Sequence, residues 1–409
     1  MLEDLILSMA QAIQELRQYP NNTIQLFHHN DSDGLSSGAI LETAFTRQGF
    51  SVHRFCLEKP YPAVLKKIYE QAGGIIVFAD FAGRIAPLIS TLNQSRNLTI
   101  ILDHHVAESA TDPMVHNLDP ELFGLKGDRD ITASTTCYLF AITMDQANRD
   151  MAHIAAMGAV GDGFFVDGRL ANQNREVTLE AVRQGKVEIK IENGKEQYFL
   201  KTSKEYMPMD TFGAYLDTLG AAGYYQNGPD MGVRVCLEGP SPESDRALGK
   251  LKNIQTRAFK EEVSRIRGGA LQKTPHIQWF HVHHRLAPMG VKMIGAFCDT
   301  IKNSKYIDPM RYIAGFQIIP NDIPNFGHIQ FDEVKISMRV SDHLAEKIRA
   351  EEAMGLDTLL PEATNRLGGF SDACHRLTAA TTVAIGKEEA LIEEMEKILR
   401  TGFNITPNS

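Results

Sequence analysis

Short apolar runs alternate with helical segments along residues 22–105, and this alternation strongly restricts the fold. The apolar runs lie at 22–29, 74–80 and 98–105, and the segment at 50–58 alternates like a strand. Apolar strands that are joined by helices form parallel sheets with helices packed on both faces. We therefore predict an α/β fold with a parallel sheet, and we expect its helices at 33–49, 61–73 and 84–94.

Polar residues with ligating side chains follow three of these apolar runs. The carboxyl ends of parallel strands meet at one edge of a sheet, where ligands gather. A further aspartate closes the stretch MGAVGDG at 157–163, which ends a helical segment near 133–160. The candidate residues are His29, Asp31, Asp33, Asp80, His104 and Asp162, with Asp103 and His105 alongside. For the first stretch alone, an ordinary polar turn is the alternative interpretation.

Crowded carboxylates raise one another's pKa unless positive charge lies among them. A pair of divalent cations supplies that charge. Mixed imidazole and carboxylate ligands favour Mn²⁺, with Co²⁺, Fe²⁺, Zn²⁺ or Mg²⁺ as alternatives. No cysteine lies close by in sequence, which argues against a site built from soft thiolate ligands. Two metals about 3.5–4 Å apart polarise a phosphoryl oxygen and activate water, the arrangement used for phosphate-ester hydrolysis.

The formal net charge of −9 and the lack of a Lys/Arg run argue against tight, sequence-independent binding of long duplexes. Five scattered cysteines without a C-x-x-C pair fit a reducing compartment. The amino terminus is typical of an amphipathic helix rather than a signal peptide, and no apolar run has membrane-spanning length. We expect a cytoplasmic protein without membrane partners, and a homodimer is compatible with these features.

The length of 409 residues predicts at least two domains. A charged helical stretch from Pro242 to about Gly269 suits a connector between them, and Asn193-Gly194 predicts a hairpin before it. We expect a catalytic domain at 1–190, an insertion with the connector helix at 191–270, and a smaller mixed-sheet α/β domain at 271–409. Strands of the last domain are expected at 277–284, 291–298, 311–318 and 334–340.

Four short stretches, HNDSDG, FADF, LDHH and GAVGDG, resemble in order the four motifs of the DHH phosphoesterase superfamily. They span roughly residues 24–163. That superfamily includes RecJ-type single-strand exonucleases, oligoribonucleases that degrade very short RNAs, dinucleotide phosphodiesterases and manganese-dependent pyrophosphatases. The resemblance implies a DHH catalytic domain joined by a long helix to a substrate-binding domain.

The resemblance also implies roles for the strand-end residues. The metal ligands would be His29 and Asp31 for one Mn²⁺, Asp33, His104 and Asp162 for the other, and Asp80 bridging the two. His105 would face the scissile phosphate as a catalytic residue together with Asp80, and Asp103 would orient a histidine. His28 neighbours His29 at a strand end and should point the other way.

The carboxy-terminal part resembles the substrate-binding domain that often accompanies DHH domains. VKISMRVS at 334–341 resembles its arginine-bearing strand, and RLGGFSDACHRLTAAT at 366–381 resembles its glycine-rich motif. Phe370 stands where the usual histidine follows the paired glycines, and His375 comes five residues later. The expected substrate contacts are Arg339, Arg366, His375, Gly368 and Gly369. For the two arginines, exposed surface positions are the alternative.

Two other segments allow more than one interpretation. ITASTT at 131–136 predicts a helix start, with an ordinary N-cap preferred over a phosphate site. HIQWFHVHHRL at 276–286 contains four histidines, and a strand with titratable surface positions is preferred over a metal cluster. Within it, Trp279 is expected in the core rather than as a base-stacking platform.

Together these features predict a metal-dependent phosphodiesterase. It would hydrolyse short single-stranded RNA or DNA, or linear dinucleotides such as pGpG, to mononucleotides. A RecJ-like exonuclease is the first alternative, although the chain is shorter than the usual RecJ arrangement. The next alternatives are an inorganic pyrophosphatase and then a non-catalytic nucleotide-binding scaffold.

Overall fold

The structure, a computed structural model, describes residues 1–202 and 206–402. The chain divides into two compact units. The first unit comprises Met1–Leu251 together with Pro324–Phe326. The second comprises Lys252–Ile323 and the chain from Gly327 onward. Among the described residues, the helices all lack the length or the apolar character needed to cross a membrane.

A five-stranded parallel sheet, with strand order β2-β1-β3-β4-β5, forms the centre of the first unit. Its strands are β1 Thr23–His28, β2 Ser51–Cys56, β3 Ile75–Ala79, β4 Leu98–Leu102 and β5 Val115–Asn117. β3 and β4 are buried along their whole length. Strands buried on both faces are apolar throughout, which is why the predicted parallel sheet was visible in the sequence, and that prediction is confirmed.

Helices of the first unit follow the strands. Their bounds are α1 Leu2–Gln18, α2 Ser32–Arg47, α3 Pro62–Ile68, α4 Ala86–Asn93, α5 Ala133–Met144, α6 Ala152–Asp162, α7 Asn172–Arg183, α8 Met209–Asp217 and α9 Gly228–Glu238. α2, α5 and α6 are buried over most of their surface and pack on one another. These three helices carry part of the candidate site.

The single helical stretch expected near 133–160 is two helices, so that prediction was wrong in its continuity. Asp145 adopts an extended backbone after α5, and its side chain accepts a hydrogen bond from the N–H of Ala147. This contact starts a short 3₁₀ turn, Gln146–Met151, before α6 begins. Aspartate commonly caps a new turn in this way, which interrupts the helix.

A three-stranded antiparallel sheet also belongs to the first unit. It is formed by β6 Val187–Glu192, β7 Lys195–Lys201 and β8 Tyr206–Pro208. Asn193 and Gly194 join β6 to β7, both with positive φ (51° and 77°). Two residues with positive φ match the twist of a two-residue hairpin, and the predicted hairpin is confirmed.

The long helix α10 covers Pro242–Arg265 and continues through a wider turn, Ile266–Ala270. It has the bounds predicted for the connector helix to within a few residues.

A mixed six-stranded sheet of order β15-β16-β14-β11-β10-β9 forms the second unit. Only β10 and β11 pair in parallel among these described strands. The strands are β9 Gln272–Lys273, β10 Ile277–His281, β11 Tyr312–Ile318, β14 Glu333–Arg339, β15 Phe370–Cys374 and β16 Thr378–Ala384, and β12 Asp322–Ile323 and β13 Gly327–His328 form a separate small hairpin. The predicted mixed-sheet α/β domain is confirmed.

Four helices accompany this sheet: α11 Met293–Ile301, α12 Asp342–Arg349, α13 Leu356–Arg366 and α14 Glu388–Gly402. The strand expected at 291–298 is wrong, because α11 occupies this position. Met293, Ile294, Phe297, Cys298 and Ile301 are buried, and their spacing follows one face of a helix. A short apolar run cannot be assigned to helix or strand by hydrophobicity alone.

Candidate metal centre

The carboxyl ends of β1, β3 and β4 lie side by side, because these strands are neighbours in the parallel sheet. Beyond each strand the pairing continues for one residue. The backbone N–H of His29 donates to Ala79 O at 3.3 Å, and that of Asp80 donates to Leu102 O at 3.0 Å. The residues that follow the strands therefore meet at one edge of the sheet. Asp162 ends α6 and joins them.

The first group of metal-type side chains consists of His29, Asp31 and Asp80, whose ligand atoms lie within 4.8 Å of one another. His29 Nδ1 is 2.8 Å from Asp31 Oδ2 and 3.3 Å from Asp80 Oδ2. Asp31 is also the N-cap of α2, where its carboxylate accepts a hydrogen bond from the N–H of Gly34. The helix start thus holds one carboxylate of the group in place.

The second group consists of Asp33, His104 and Asp162, again within 4.8 Å. His104 Nε2 lies 3.4 Å from Asp162 Oδ2, 3.5 Å from Asp80 Oδ1 and 4.0 Å from Asp33 Oδ2. Asp80 therefore faces His29 with one oxygen and His104 with the other. It lies between the two groups, the position in which a carboxylate can bridge two ions.

These donors fit divalent cations. One imidazole nitrogen carries at most one proton, so His104 Nε2 cannot satisfy three carboxylates at once. Carboxylate oxygens and imidazole nitrogens in this mixture are suited to Mn²⁺ and related ions. The structure therefore contains an acidic cluster that can hold metal, and the cluster draws on all four sequence motifs.

The protonation equilibria of the cluster also favour bound cations. Burial raises the pKa of Asp33, and burial together with the charge of Asp31 raises the pKa of Asp80 well above its usual range. Burial lowers the pKa of His104, but the facing carboxylates of Asp80, Asp162 and Asp33 outweigh it and raise this pKa well above its usual value. Positive charge placed among buried carboxylates lowers their pKa values and so reverses these upward shifts.

Asp80 has a positive φ of 66°. Residues other than glycine are uncommon in this region, and the strain is tolerated where the surroundings enforce it, often at functional sites. The backbone turns sharply at the end of β3 and presents both carboxylate oxygens to the two histidines.

Asp33 is held by the start of α5. Its Oδ2 accepts a hydrogen bond from the N–H of Ala133 at 2.8 Å, and its Oδ1 accepts one from Ser134 at 3.0 Å. Thr132, the N-cap residue, makes no side-chain capping bond in the described structure. The helix start predicted within 131–136 is confirmed, with Thr132 at the N-cap position. The capping carboxylate, however, comes from α2, and it occupies the N–H groups that a phosphate would need.

His104 is oriented by its other ring nitrogen. Nδ1 donates to the carbonyl oxygen of Gly127 at 2.8 Å, which leaves Nε2 facing the carboxylates. A Cβ atom at Gly127 would lie 1.5 Å from His104 O, so the loop can approach the histidine only with glycine there. Metal-binding histidines usually have such a partner on the second nitrogen.

Asp103 positions His105. Its Oδ1 lies 2.7 Å from His105 Nδ1, and it also accepts a hydrogen bond from the backbone N–H of His104. The N–H of Gly83 donates to Oδ2 at 2.9 Å. Burial opposes ionisation of Asp103, but His105 and these hydrogen bonds outweigh it and lower the pKa of Asp103. The carboxylate is therefore charged and directs the Nε2 side of His105 outward.

His28 belongs to neither group. It is fully buried, its Nδ1 donates to His29 O at 2.7 Å, and Arg54 donates to its Nε2 at 3.2 Å. Burial and the charge of Arg54 lower the pKa of His28 to about 3. The ring is neutral and faces away from the cluster, as the strand alternation predicted.

Gly158, which lies within the GAVGDG stretch, was not among the residues predicted from the sequence. A Cβ atom there would lie 2.3 Å from Ser134 Oγ and 2.4 Å from Asp33 Oδ1. The glycine lets α6 approach α2 and α5 closely. The glycines of the GAVGDG stretch were the sequence feature that could have indicated this close approach of the helices.

The residues predicted to bind substrate lie in the second unit, where the arginines have carboxylate partners. Arg339 Nε donates to Asp299 Oδ2 at 2.7 Å. Arg366 contacts Glu362 at 2.5 Å and Glu394 at 3.3 Å. Their role toward substrate stays a prediction.

The glycine-rich motif forms a tight turn. Gly368 has a φ of 71°, and a Cβ atom at Gly369 would lie 2.3 Å from Thr382 O. The backbone N–H of His375 donates to Thr378 O in the turn between β15 and β16, and the His375 side chain is exposed. A substrate-binding role of these three residues also stays a prediction.

The histidine-rich segment pairs with α14 rather than forming a metal group in the described part of the chain. His276 Nδ1 lies 2.8 Å from Glu396 Oε2, and His281 Nε2 lies 3.4 Å from Glu388 Oε1. The rings of His281 and His283 stack at 4.0 Å. Because the two glutamates lie more than a hundred residues from their histidines, local spacing could not reveal these pairs. Trp279 is buried in the core, as predicted.

No protein-family model matches the chain. An uncharacterized protein of Methanocaldococcus jannaschii is 32% identical over 171 residues, which are 40% of this chain and 38% of that protein. The chain thus spans well under half the length of this curated relative.

Two solved structures are similar over nearly the whole chain. A DHH-domain structure described as a member of a family of ribosomal proteins has a TM-score of 0.62 at 15% identity, covering 97% of this chain and 91% of that one. RecJ of Thermus thermophilus in complex with Mn²⁺ has a TM-score of 0.60 at 16% identity, covering 96% and 55%. The chain therefore has the fold of these two structures, and the side chains of its four quoted motifs meet at the carboxyl edge of the parallel sheet.

Proposed function

We propose that the protein is a metal-dependent phosphodiesterase that hydrolyses short oligonucleotides or linear dinucleotides, such as pGpG, to mononucleotides. One observation carries the proposal. Asp80 lies between two histidine–carboxylate groups, with one oxygen 3.3 Å from His29 Nδ1 and the other 3.5 Å from His104 Nε2. This is the arrangement expected for two cations that share a carboxylate.

The residues of the two groups would hold the metals, Mn²⁺ being the expected ion. His29 and Asp31 would bind one cation, and Asp33, His104 and Asp162 would bind the other. Such a pair of cations, when bound, polarises the phosphoryl oxygen and lowers the pKa of water. The protein's own contribution is to hold these ligands in a buried cluster with fixed helix and loop partners.

His105 would assist the leaving group. Asp103 fixes the Nδ1 proton by accepting it in a 2.7 Å contact, so Nε2 of His105 is the nitrogen available to the substrate. A doubly protonated imidazole whose Nδ1–H is held by a carboxylate can stabilise charge at the departing oxygen or give it the Nε2 proton.

The preference for short substrates rests on charge. The net charge of −9 does not suit long polyanions, whose affinity depends on many phosphate contacts. We propose that Arg339, Arg366, His375, Gly368 and Gly369 clamp a terminal phosphate or base. Because both arginines pair with carboxylates, phosphate would have to replace Asp299, Glu362 or Glu394 as their partner.

A RecJ-like single-strand exonuclease is the second candidate. The fold similarity to the Thermus RecJ structure favours it.

A product time course with Mn²⁺ tests the proposal. The substrates are pGpG, a five-residue RNA, a 24-residue single strand and pyrophosphate. Rapid loss of the dinucleotide with the long strand intact supports the proposal, whereas processive shortening of the long strand supports the exonuclease. Preferential hydrolysis of pyrophosphate would contradict both.

A matched pair of variants connects activity to the cluster. Asp80→Asn removes the shared carboxylate and should abolish hydrolysis and lower metal content. Asp150→Asn changes an aspartate that pairs with Arg47 and belongs to neither metal group, so it should retain both properties. A native protein that binds no metal and stays inert with Mn²⁺ would show that the chain is a non-catalytic scaffold.

A further inference from the structure

We infer that a cleft next to the metal centre, within the first unit, binds a nucleobase of the substrate. We call it the hairpin cleft; it is lined by Val160, Phe165, Lys195, Gln197, Tyr198 and Asp210. The inference rests on the proposed function, because the base would belong to the nucleotide whose phosphate lies at the metal cluster.

The cleft and the metal centre share the end of α6, because Val160 lines the cleft and Asp162 belongs to the second metal group. Gly163 follows Asp162 and ends α6 with a φ of 74°. The next residue, Phe164, places its ring centroid 6.0 Å from that of His104. Phe165 comes directly after it and lines the hairpin cleft. Phe165, a wall of the cleft, is therefore only three positions along the chain from Asp162 of the second metal group.

Phe165 is 43% exposed, which is costly for a large aromatic side chain. Its ring lies nearly parallel to that of Tyr198, with centroids 6.1 Å apart and an angle of 18° between the planes. Single exposed apolar residues are common and mean little by themselves. Here the exposed face borders a cleft of about 360 Å³, a volume within the range of small-molecule sites.

Tyr198 is a rigid wall of the cleft. Its hydroxyl accepts a hydrogen bond from the N–H of Leu170 at 2.8 Å and donates one to Glu196 at 2.6 Å. Arg175 contacts both oxygens of Glu196, at 2.5 and 2.8 Å. Because these bonds occupy the hydroxyl, the ring has a fixed orientation before any ligand arrives. Such preorganisation reduces the entropic cost of binding.

The turn that carries Phe165 is tied to the β6–β7 hairpin. Val166 and Arg169 pair across a tight turn formed by Asp167 and Gly168, both with positive φ. The N–H of Glu196 donates to Gly168 O at 2.9 Å. A Cβ atom at Gly168 would lie 2.6 Å from Lys195 Cγ, so the lysine stem packs on the turn.

The polar edge of the cleft suits a heteroaromatic ring. Gln197 offers an amide and Asp210 a carboxylate for the donors and acceptors of a base edge. Lys195 makes no ion pair among the described residues, and its exposed ammonium can contact a sugar phosphate. An aromatic platform with a nearby cation is the combination by which proteins bind single-stranded nucleotides.

Direct binding tests the hairpin cleft separately from catalysis. Calorimetric titrations of the full chain would use AMP, GMP and ribose 5-phosphate, the last of which has no base. We expect the two nucleotides to bind more tightly than ribose 5-phosphate. Phe165→Ala should weaken nucleotide binding about 5- to 100-fold, as expected for lost base stacking. It should leave ribose 5-phosphate binding unchanged, and Phe165→Tyr should restore nucleotide binding.

Leu237→Ala is the control, because Leu237 is 41% exposed on α9 and does not line the cleft. It should bind all three ligands like the wild type. Equal binding of nucleotides and ribose 5-phosphate, no binding of either, or no effect of Phe165→Ala would overturn the inference.

The outcomes also separate this inference from the proposed function. Base-dependent binding that requires Phe165, without any hydrolysis, would retain the cleft and reject the enzyme. Hydrolysis of pGpG with no effect of Phe165→Ala on binding would retain the enzyme and reject the cleft.

Discussion

The carboxylate of Asp33 accepts a hydrogen bond from the backbone N–H of Ser134, 101 positions later in the chain. The contact joins the first turn of α2 to the first turn of α5. The positive end of a helix stabilises negative charge, so this contact favours the charged form of a carboxylate that burial would otherwise neutralise. One proposed metal ligand is thus also a helix cap.

Gly158→Ala should disturb that contact. The added Cβ would lie 2.4 Å from Asp33 Oδ1 and 2.3 Å from Ser134 Oγ, so the helices must shift. Overpacking of this kind costs about 1–3 kcal/mol of unfolding free energy. We expect denaturant unfolding to show this loss and metal binding to weaken.

The control for Gly158→Ala is Gly249→Ala in α10, where a Cβ atom meets nothing within 4 Å. An exposed helical glycine changed to alanine should raise stability by about 0.5–1 kcal/mol. Equal stability changes in the two variants would show that the close approach at Gly158 is unimportant.

Asp103→Asn should impair the proposed role of His105. It removes the negative charge that lies 2.7 Å from His105 Nδ1, and a neutral amide stabilises a charged imidazole less well than a carboxylate does. Loss of general acid catalysis by a positioned side chain costs about 10²- to 10⁴-fold in rate. We expect a loss of that order with metal content retained, measured by steady-state kinetics and metal analysis. Unchanged kcat would exclude His105 from the reaction.

Mn²⁺ should stabilise the folded chain. A ligand that binds only the native state adds about 2.7 kcal/mol per site when its concentration is 100 times its dissociation constant. We expect a higher melting temperature with Mn²⁺ than with a chelator, and no such difference for Asp80→Asn. A melting temperature that does not respond to Mn²⁺ would contradict the metal centre.

His153 should make stability fall in mild acid. Burial and the charge of Lys186 lower its pKa to about 4, below the unfolded value of about 6.5. Between these values the unfolded chain binds more protons, so stability is present above pH 6.5 and is lost as pH falls toward 4. Urea unfolding at pH 7 and pH 5 should show a contribution of about 1–2 kcal/mol from this residue.

In His153→Gln this part of the pH dependence should disappear. His53→Gln, which removes an exposed histidine of β2, should keep the wild-type difference between the two pH values. If His153→Gln shows the same difference in unfolding free energy between pH 7 and pH 5 as the wild type, His153 is not the source of that difference.

Local patterns were sufficient for much of the fold. The strands β1, β3 and β4 were predicted as apolar runs, which buried parallel strands form, and β2 was predicted from its alternating pattern. The position of Asp80 and His104 at one sheet edge followed from parallel topology alone. Patterns failed where a short run was ambiguous, as for α11, or where one aspartate interrupted a helix, as at Asp145.

The sequence by itself determined which side chains reach the edge of the sheet, since strand ends and helix starts follow from local periodicity. Only the tertiary structure decided which oxygen of Asp80 faces which histidine, that Asp33 caps α5, and that Tyr198 stands beside Phe165. These contacts join residues tens to more than a hundred positions apart, so they depend on how helices and strands pack, and no local spacing encodes them.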